Sequence, residues 1–132
     1  MDDPIWISIE LTLGIHSRQL AEHGGADGVR DQGLLESALG RPRHLFAYTD
    51  PTPEIPRLAA AYAFGIAKNH AFIDGNKRTA AVVCETFLLL NGFELTATDI
   101  EAYPIFLSLA AGELSEESLA DWLTKNTRTV EA

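Results

Sequence analysis

The chemistry in this chain concentrates in nine consecutive residues, His70-Ala71-Phe72-Ile73-Asp74-Gly75-Asn76-Lys77-Arg78. An imidazole with an ordinary pKa of about 6.5 suits His70 to taking a proton from an attacking hydroxyl. Asp74 supplies a hard oxygen donor, enough to hold Mg²⁺ when phosphates and water complete the octahedron. Gly75 permits close backbone approach or a positive φ. If a helix opens at Asn76, the N–H groups of Asn76, Lys77 and Arg78 form an anion site, because orphan donors and the helix dipole both favour negative charge. Lys77 and Arg78 oppose that dipole, so local energetics disfavour the pair and an anionic ligand would explain it. Taken singly, each residue has a structural use: a helix cap for His70 or Asn76, a turn for Asp74, a solvated face for the two cations. Together within nine residues they supply a base, a metal ligand and charge stabilisation, the parts that transfer of a phosphate-containing group requires.

The elements that must position them are helical. Strand-like alternation is nearly absent, and apolar residues recur at helical spacing. The signals predict a helix from Ser8 to His23 with Gly24-Gly25 as its stop. A second is capped by Asp31 and ends at Gly40 before Pro42. Residues 41–55, with Pro42, Pro51 and Pro53, read as a 15-residue loop long enough to carry function. A third helix starts near Pro56 and ends at Asn69-His70, and a fourth runs from Gly75-Asn76 to Asn91-Gly92. Thr98 with Glu101 forms a capping box for a fifth helix lasting to about Ala111, and Ser115 caps a sixth bearing Leu119, Trp122 and Leu123. The nine residues thus join two core helices, with Phe72 pinning their connection. Of the other histidines, His16 reads as packing, and His16, His23 and His44 lie at no metal-ligand spacing with His70. Cys84 reads as a buried hydrophobe. Trp6, Tyr62, Phe64, Phe87 and Trp122 read as core or subunit contact.

Length and composition fit one all-α domain over residues 1–132, its core at about 8–126. The hydrophobic share of 46% against 22% charged residues excludes a disordered chain. No apolar run approaches the roughly 18 residues that cross a bilayer, and the acidic start Met1-Asp2-Asp3 is unlike a signal peptide. A single cysteine fits a reducing compartment, so the expected location is the cytoplasm. A net charge of −9 argues against gripping a nucleic-acid backbone. Yet residues 41–78 hold six basic residues (Arg41, Arg43, Arg57, Lys68, Lys77, Arg78) against three acidic ones, a +3 island in a remainder of −12. That pattern suits a compact anion rather than a long polyanion.

The string His70-x-Phe72-x-Asp74-Gly75-Asn76-Lys77-Arg78-Thr79-Ala80 resembles the signature of the Fic/Doc family, in its death-on-curing toxin branch. Gly24-Gly25, Asp31-x-Gly33-Leu34-Leu35-Glu36-Ser37-Ala38-Leu39, Arg41-Pro42 and Asn91-Gly92 extend the resemblance over roughly residues 10–125. It implies His70 as the base, Asp74 as the Mg²⁺ ligand, and His70, Asp74 and Asn76 as the catalytic set. Gly75, Asn76, Lys77 and Arg78, with Lys68 beside them, are the implied phosphate-binding set, and Phe72 the buried anchor. Adenylyl-transferring Fic members have a second glycine where this chain has Lys77 and a second arginine where it has Ala81. The toxin branch shares the lysine and resembles kinases, which implies transfer of the ATP γ-phosphate to a protein Ser/Thr hydroxyl. The implied target is elongation factor Tu, and the implied restraint an antitoxin segment laid over the site, because these residues contain no Ser/Thr-x-x-x-Glu-Gly/Asn inhibitory string. The expected docking groove borders the 41–55 loop, with Leu45, Phe46 and Tyr48 covered on inhibition. The competing readings are an adenylyl transferase and an inactive Fic fold used as a binding module; an intact His70, Asp74 and Asn76 speak against the latter.

Overall fold

The computed structural model describes residues 3–130 as six α-helices and one small sheet. The helices are α1 (Ile9–His23), α2 (Gln32–Tyr48), α3 (Ile55–Asn69), α4 (Asn76–Leu90), α5 (Asp99–Ala110) and α6 (Glu116–Lys125). The two strands, β1 (Phe93–Leu95) and β2 (Thr127–Thr129), pair antiparallel with Glu94 opposite Arg128. None of the helices is long and apolar enough to cross a membrane.

Four helices start where side-chain caps direct them. Ser8 accepts from the Leu11 N–H at 3.1 Å, Asp31 from Leu34 at 3.0 Å and Ser115 from Ser118 at 3.1 Å. Thr98 and Glu101 exchange both bonds of a capping box. Helix α3 is the hub. It is apolar on nearly every side, as a helix enclosed by others must be, and it packs against α2, α4, α5 and α6. Its own Leu58 and Tyr62, with Phe72, Phe87 and Leu88 beyond it, are fully buried. The connection carrying the nine-residue segment therefore leaves the most constrained helix in the molecule and enters α4, which α1 covers from the other side.

The second helix does not stop at Gly40. It continues through Pro42 to Tyr48, so the predicted 41–55 loop shrinks to residues 49–54. A proline inside a helix removes one backbone bond and costs about 3 kcal/mol or more. Here Pro42 is itself buried, and Leu45 and Phe46 pack against the core on the same helix, so burial outweighs the breaker. Arg43 lies over the Trp6 ring. The predicted docking groove loses its loop: Leu45 and Phe46 are core-facing helical residues, and Tyr48, 78% exposed, stands out at the helix end. The small sheet is a second difference, as is a single bridge between Val29 and Phe72.

The basic island is also redistributed. Arg41 and Arg57 both bind Glu116, a carboxylate only 3% exposed at the start of α6, with Arg41 Nε at 2.5 Å. Lys68 lies over Phe64, on the ring that Arg41 also covers. Two of the six island cations, Arg41 and Arg57, thus clamp α2 and α3 to α6. Burial alone would push the Glu116 carboxyl up, but hydrogen bonds and charge from Arg41 and Arg57 outweigh it and hold it below the usual carboxylate range. The unfolded chain then binds this proton at a pH where the folded one does not. The stability so gained is present above the unfolded value of about 4.3 and is lost as pH falls through the lower folded one. Melting temperature is expected to drop steeply below that pH, and Glu116→Gln to flatten the slope. Parallel acid slopes in wild type and variant would remove this assignment.

Candidate active site

Helix α3 ends in a left-handed turn at His70, φ 53° and ψ 46°. This is the one non-glycine residue at positive φ among the described residues. Such a conformation persists only where the surroundings impose it. Arg30 does so here, donating from Nε to the His70 carbonyl at 2.8 Å and from its terminal nitrogen to the Asn69 carbonyl at 3.1 Å. A cation on the last carbonyls of a helix is also favoured by the dipole. The chain then runs antiparallel to residues 26–31: Arg30 and Asp31 donate to the Ala71 carbonyl and Ile73 donates to the Gly28 carbonyl. Phe72 is fully buried.

Asn76, 4% exposed, closes this loop from within. Its Oδ1 accepts from the Phe72 N–H at 3.0 Å, and its Nδ2 donates back to the Phe72 carbonyl at 2.9 Å. Those two bonds fix the amide's orientation, so the same Nδ2 meets His70 Nδ1 at 3.2 Å as a donor. The neutral His70 ring so held carries its proton on Nε2. While this contact stands, neither nitrogen of that neutral ring offers a free lone pair, and the contact is the longest of the three that the Asn76 amide makes.

Gly75 caps α4 with φ 79° and offers no side chain to the helix terminus. The first N–H groups of α4 are left for a ligand, flanked by exposed Lys77 and Arg78, neither of which forms an ion pair among the described residues. Asp74 is exposed beside them. Its Oδ1 accepts from the Gly75 N–H at 2.9 Å and its Oδ2 from the Ala26 N–H at 3.3 Å. Gly25 stands at φ 125°, and a Cβ there would meet that Oδ2 at 2.9 Å, so glycine lets the 24–26 segment approach the carboxylate without strain. Both oxygens retain lone pairs. No cluster of three or more His, Cys, Asp or Glu able to cage a metal occurs among the described residues. A single carboxylate beside a phosphate site is the donor set Mg²⁺ takes with phosphates and water, so Asp74 fits that ion.

His70 and Lys77 share the wall of a cavity of about 340 Å³ with Leu107, Ser108, Ala110, Ala111 and Glu113. That volume falls within the roughly 300–1,000 Å³ of small-molecule sites. Of the sequence-predicted site residues, His70 and Lys77 line this cavity; Asp74, Gly75, Asn76 and Arg78 belong to the same connection without lining it, and Lys68 lies over Phe64. Two supports escaped the sequence reading. Arg30 gave no signal, and His16 was read as packing, although it also binds the Asp74 carbonyl at 2.8 Å. Cys84 is fully buried, and burial pushes its thiol well above the ordinary range, so it is inert as a nucleophile.

The connection from α3 to α4 thus presents a histidine, a carboxylate and an open helix N-terminus around one buried asparagine. The Fic/DOC family model matches residues 6–88, and the chain belongs to that family. Toxin Doc of Mycolicibacterium smegmatis is 46% identical over 74 residues, which are 56% of this chain and 57% of that protein. The match therefore spans little more than half of that relative's length. Protein kinase doc of Escherichia phage P1 is 33% identical over 119 residues, 90% of this chain and 93% of that protein.

Proposed function

We propose that this protein is the toxin of a toxin–antitoxin pair, a Doc-like kinase that moves the ATP γ-phosphate to a Ser/Thr hydroxyl of a translation factor. The observation that carries the reading is Lys77 in the wall of the His70 cavity, together with Ala81 where adenylyl-transferring members carry a second arginine. A long cation at that position narrows the space in which a nucleotide would thread past His70. The missing arginine removes a charge-assisted phosphate clamp worth about 1.5–3 kcal/mol. Both favour presenting the terminal phosphate, and the relative named a protein kinase supports the same choice.

In this reading the α4 N–H groups, Lys77 and Arg78 hold the phosphate oxygens, and His70 takes the hydroxyl proton. The hydroxyl oxygen bonds to the γ-phosphorus, the bond from that phosphorus to the β–γ bridging oxygen breaks, and ADP leaves. Asp74 is the residue that would hold Mg²⁺, whose charge would neutralise the phosphate oxygens. Elongation factor Tu is the proposed target, and an antitoxin segment that covers the site is the proposed restraint, acting in the cytoplasm.

The test incubates the protein with cell lysate and ATP labelled at either the α or the γ phosphate. The expected result is γ-label on a protein of elongation-factor size and none from α. Transfer of α-label alone makes the protein an adenylyl transferase. Transfer of neither, with nucleotide still bound, makes it a binding module.

A further inference from the structure

Helix α1 carries a buried imidazole that none of these steps uses. His16 is 3% exposed, and its ring lies flat on Phe72 with centroids 3.8 Å apart and planes 9° from parallel. Its Nε2 meets the Asp74 carbonyl at 2.8 Å. A carbonyl only accepts, so Nε2 carries the proton and donates. A Cβ on Gly75 would come within 3.5 Å of the same ring, so His16 also forms the floor under the αL glycine that opens α4. The imidazole therefore touches Phe72 and Asp74, two of the five residues between His70 and Asn76, and leaves no more than contact room for a side chain at Gly75.

Packing alone does not call for this choice. A phenylalanine would supply the stack on Phe72, and burying an imidazole costs solvation that only a hydrogen bond returns. The bond goes to a backbone atom of the residue whose carboxylate stands at the phosphate site. Pinning the Asp74 carbonyl fixes the peptide plane between Asp74 and Gly75. That plane sets the Gly75 N–H, which Asp74 Oδ1 accepts, and it sets the carboxylate against the Ala26 N–H. Neither of those last two bonds is buried, so water competes for them and neither holds the loop by itself.

We propose that His16 is a positioning residue for the active-site loop: its Nε2–H locks the Asp74–Gly75 peptide so that the Asp74 carboxylate and the first N–H groups of α4 face one phosphate-bearing substrate together. The consequence for turnover rests on the phosphotransfer reading; the consequence for loop geometry does not.

The experiment compares His16→Phe, which keeps the stack and removes the donor, with His16→Gln, whose amide places an N–H near the position of Nε2. Two readouts are taken: amide hydrogen exchange at Ala26 and Gly75, and kcat and KM for γ-phosphate transfer. In H16F both amides are expected to exchange faster than in wild type, and in H16Q at rates close to wild type. Turnover in H16F is expected to fall about 10²-fold, the effect of misplacing a reacting group by roughly 1 Å, with KM changed much less and H16Q restoring most of the loss. Wild-type exchange rates at both amides in H16F overturn the proposal, as does an H16Q protein as impaired in exchange as H16F. A wild-type protein that transfers no γ-phosphate overturns the kinase reading instead, and the exchange rates then decide the role of His16 alone.

Discussion

His70→Ala is expected to slow phosphate transfer about 10²–10⁴-fold, the usual loss on removing a general base, while leaving the melting temperature close to that of wild type. The two halves follow from one observation. His70 is exposed, and its ring lines the cavity rather than the core. What holds residue 70 in place is backbone: Arg30 on its carbonyl and the left-handed turn that ends α3. Alanine carries the left-handed cost of about 1–2 kcal/mol common to L-residues, and Arg30 still holds the turn's carbonyls, so the exit from α3 survives. Among side-chain bonds only the 3.2 Å contact with Asn76 is lost, and Asn76 keeps both bonds to Phe72. A transfer assay and a thermal melt on the same sample check the result. Unchanged transfer removes His70 from the base role. An equal fall in transfer and in melting temperature would mean that the residue is structural.

The parts of this molecule that were legible in the sequence are those decided within four residues. Ser8, Asp31, Thr98 with Glu101, and Ser115 each cap a helix through bonds to residues three positions on, and the structure forms each of them. The motif is legible because its residues are consecutive, though the Asn76 bonds to Phe72, four positions back, are a finding of the structure. What the sequence hid is decided at long range. The end of α2 moved because Pro42, Leu45 and Phe46 bury against other helices, which no local breaker signal records. The charge island divided because Glu116 lies 75 residues from Arg41 and 59 from Arg57. His16 reaches Asp74 over 58 positions and Arg30 reaches His70 over 40. The strands, three residues each, are too short for alternation to register. The residues of the loop could be read locally, and the brace that gives the loop its geometry could not.

Asn76→Ala is expected to do what His70→Ala does not, lowering stability and transfer together. The Asn76 amide satisfies both the N–H and the carbonyl of Phe72, a residue with no exposed surface. Truncation leaves a buried donor and a buried acceptor without partners, each costing about 1–3 kcal/mol where water cannot replace the lost bond. That is a large part of the roughly 5–15 kcal/mol by which a domain is stable, so the melting temperature falls by several degrees. Transfer falls as well, because the amide also sets the angle of the His70 ring and the path of the chain into Gly75. Asn76→Asp sharpens the test. Aspartate keeps the acceptor for the Phe72 N–H but turns a carboxylate toward the Phe72 carbonyl, where asparagine donated. If the two-way pairing is what closes the loop, Asp rescues little of the stability lost in the alanine variant, despite its nearly identical shape. Full rescue by Asp would mean that shape and the single Phe72 N–H bond suffice, and the loop would then owe its closure to the contacts from Arg30 and His16.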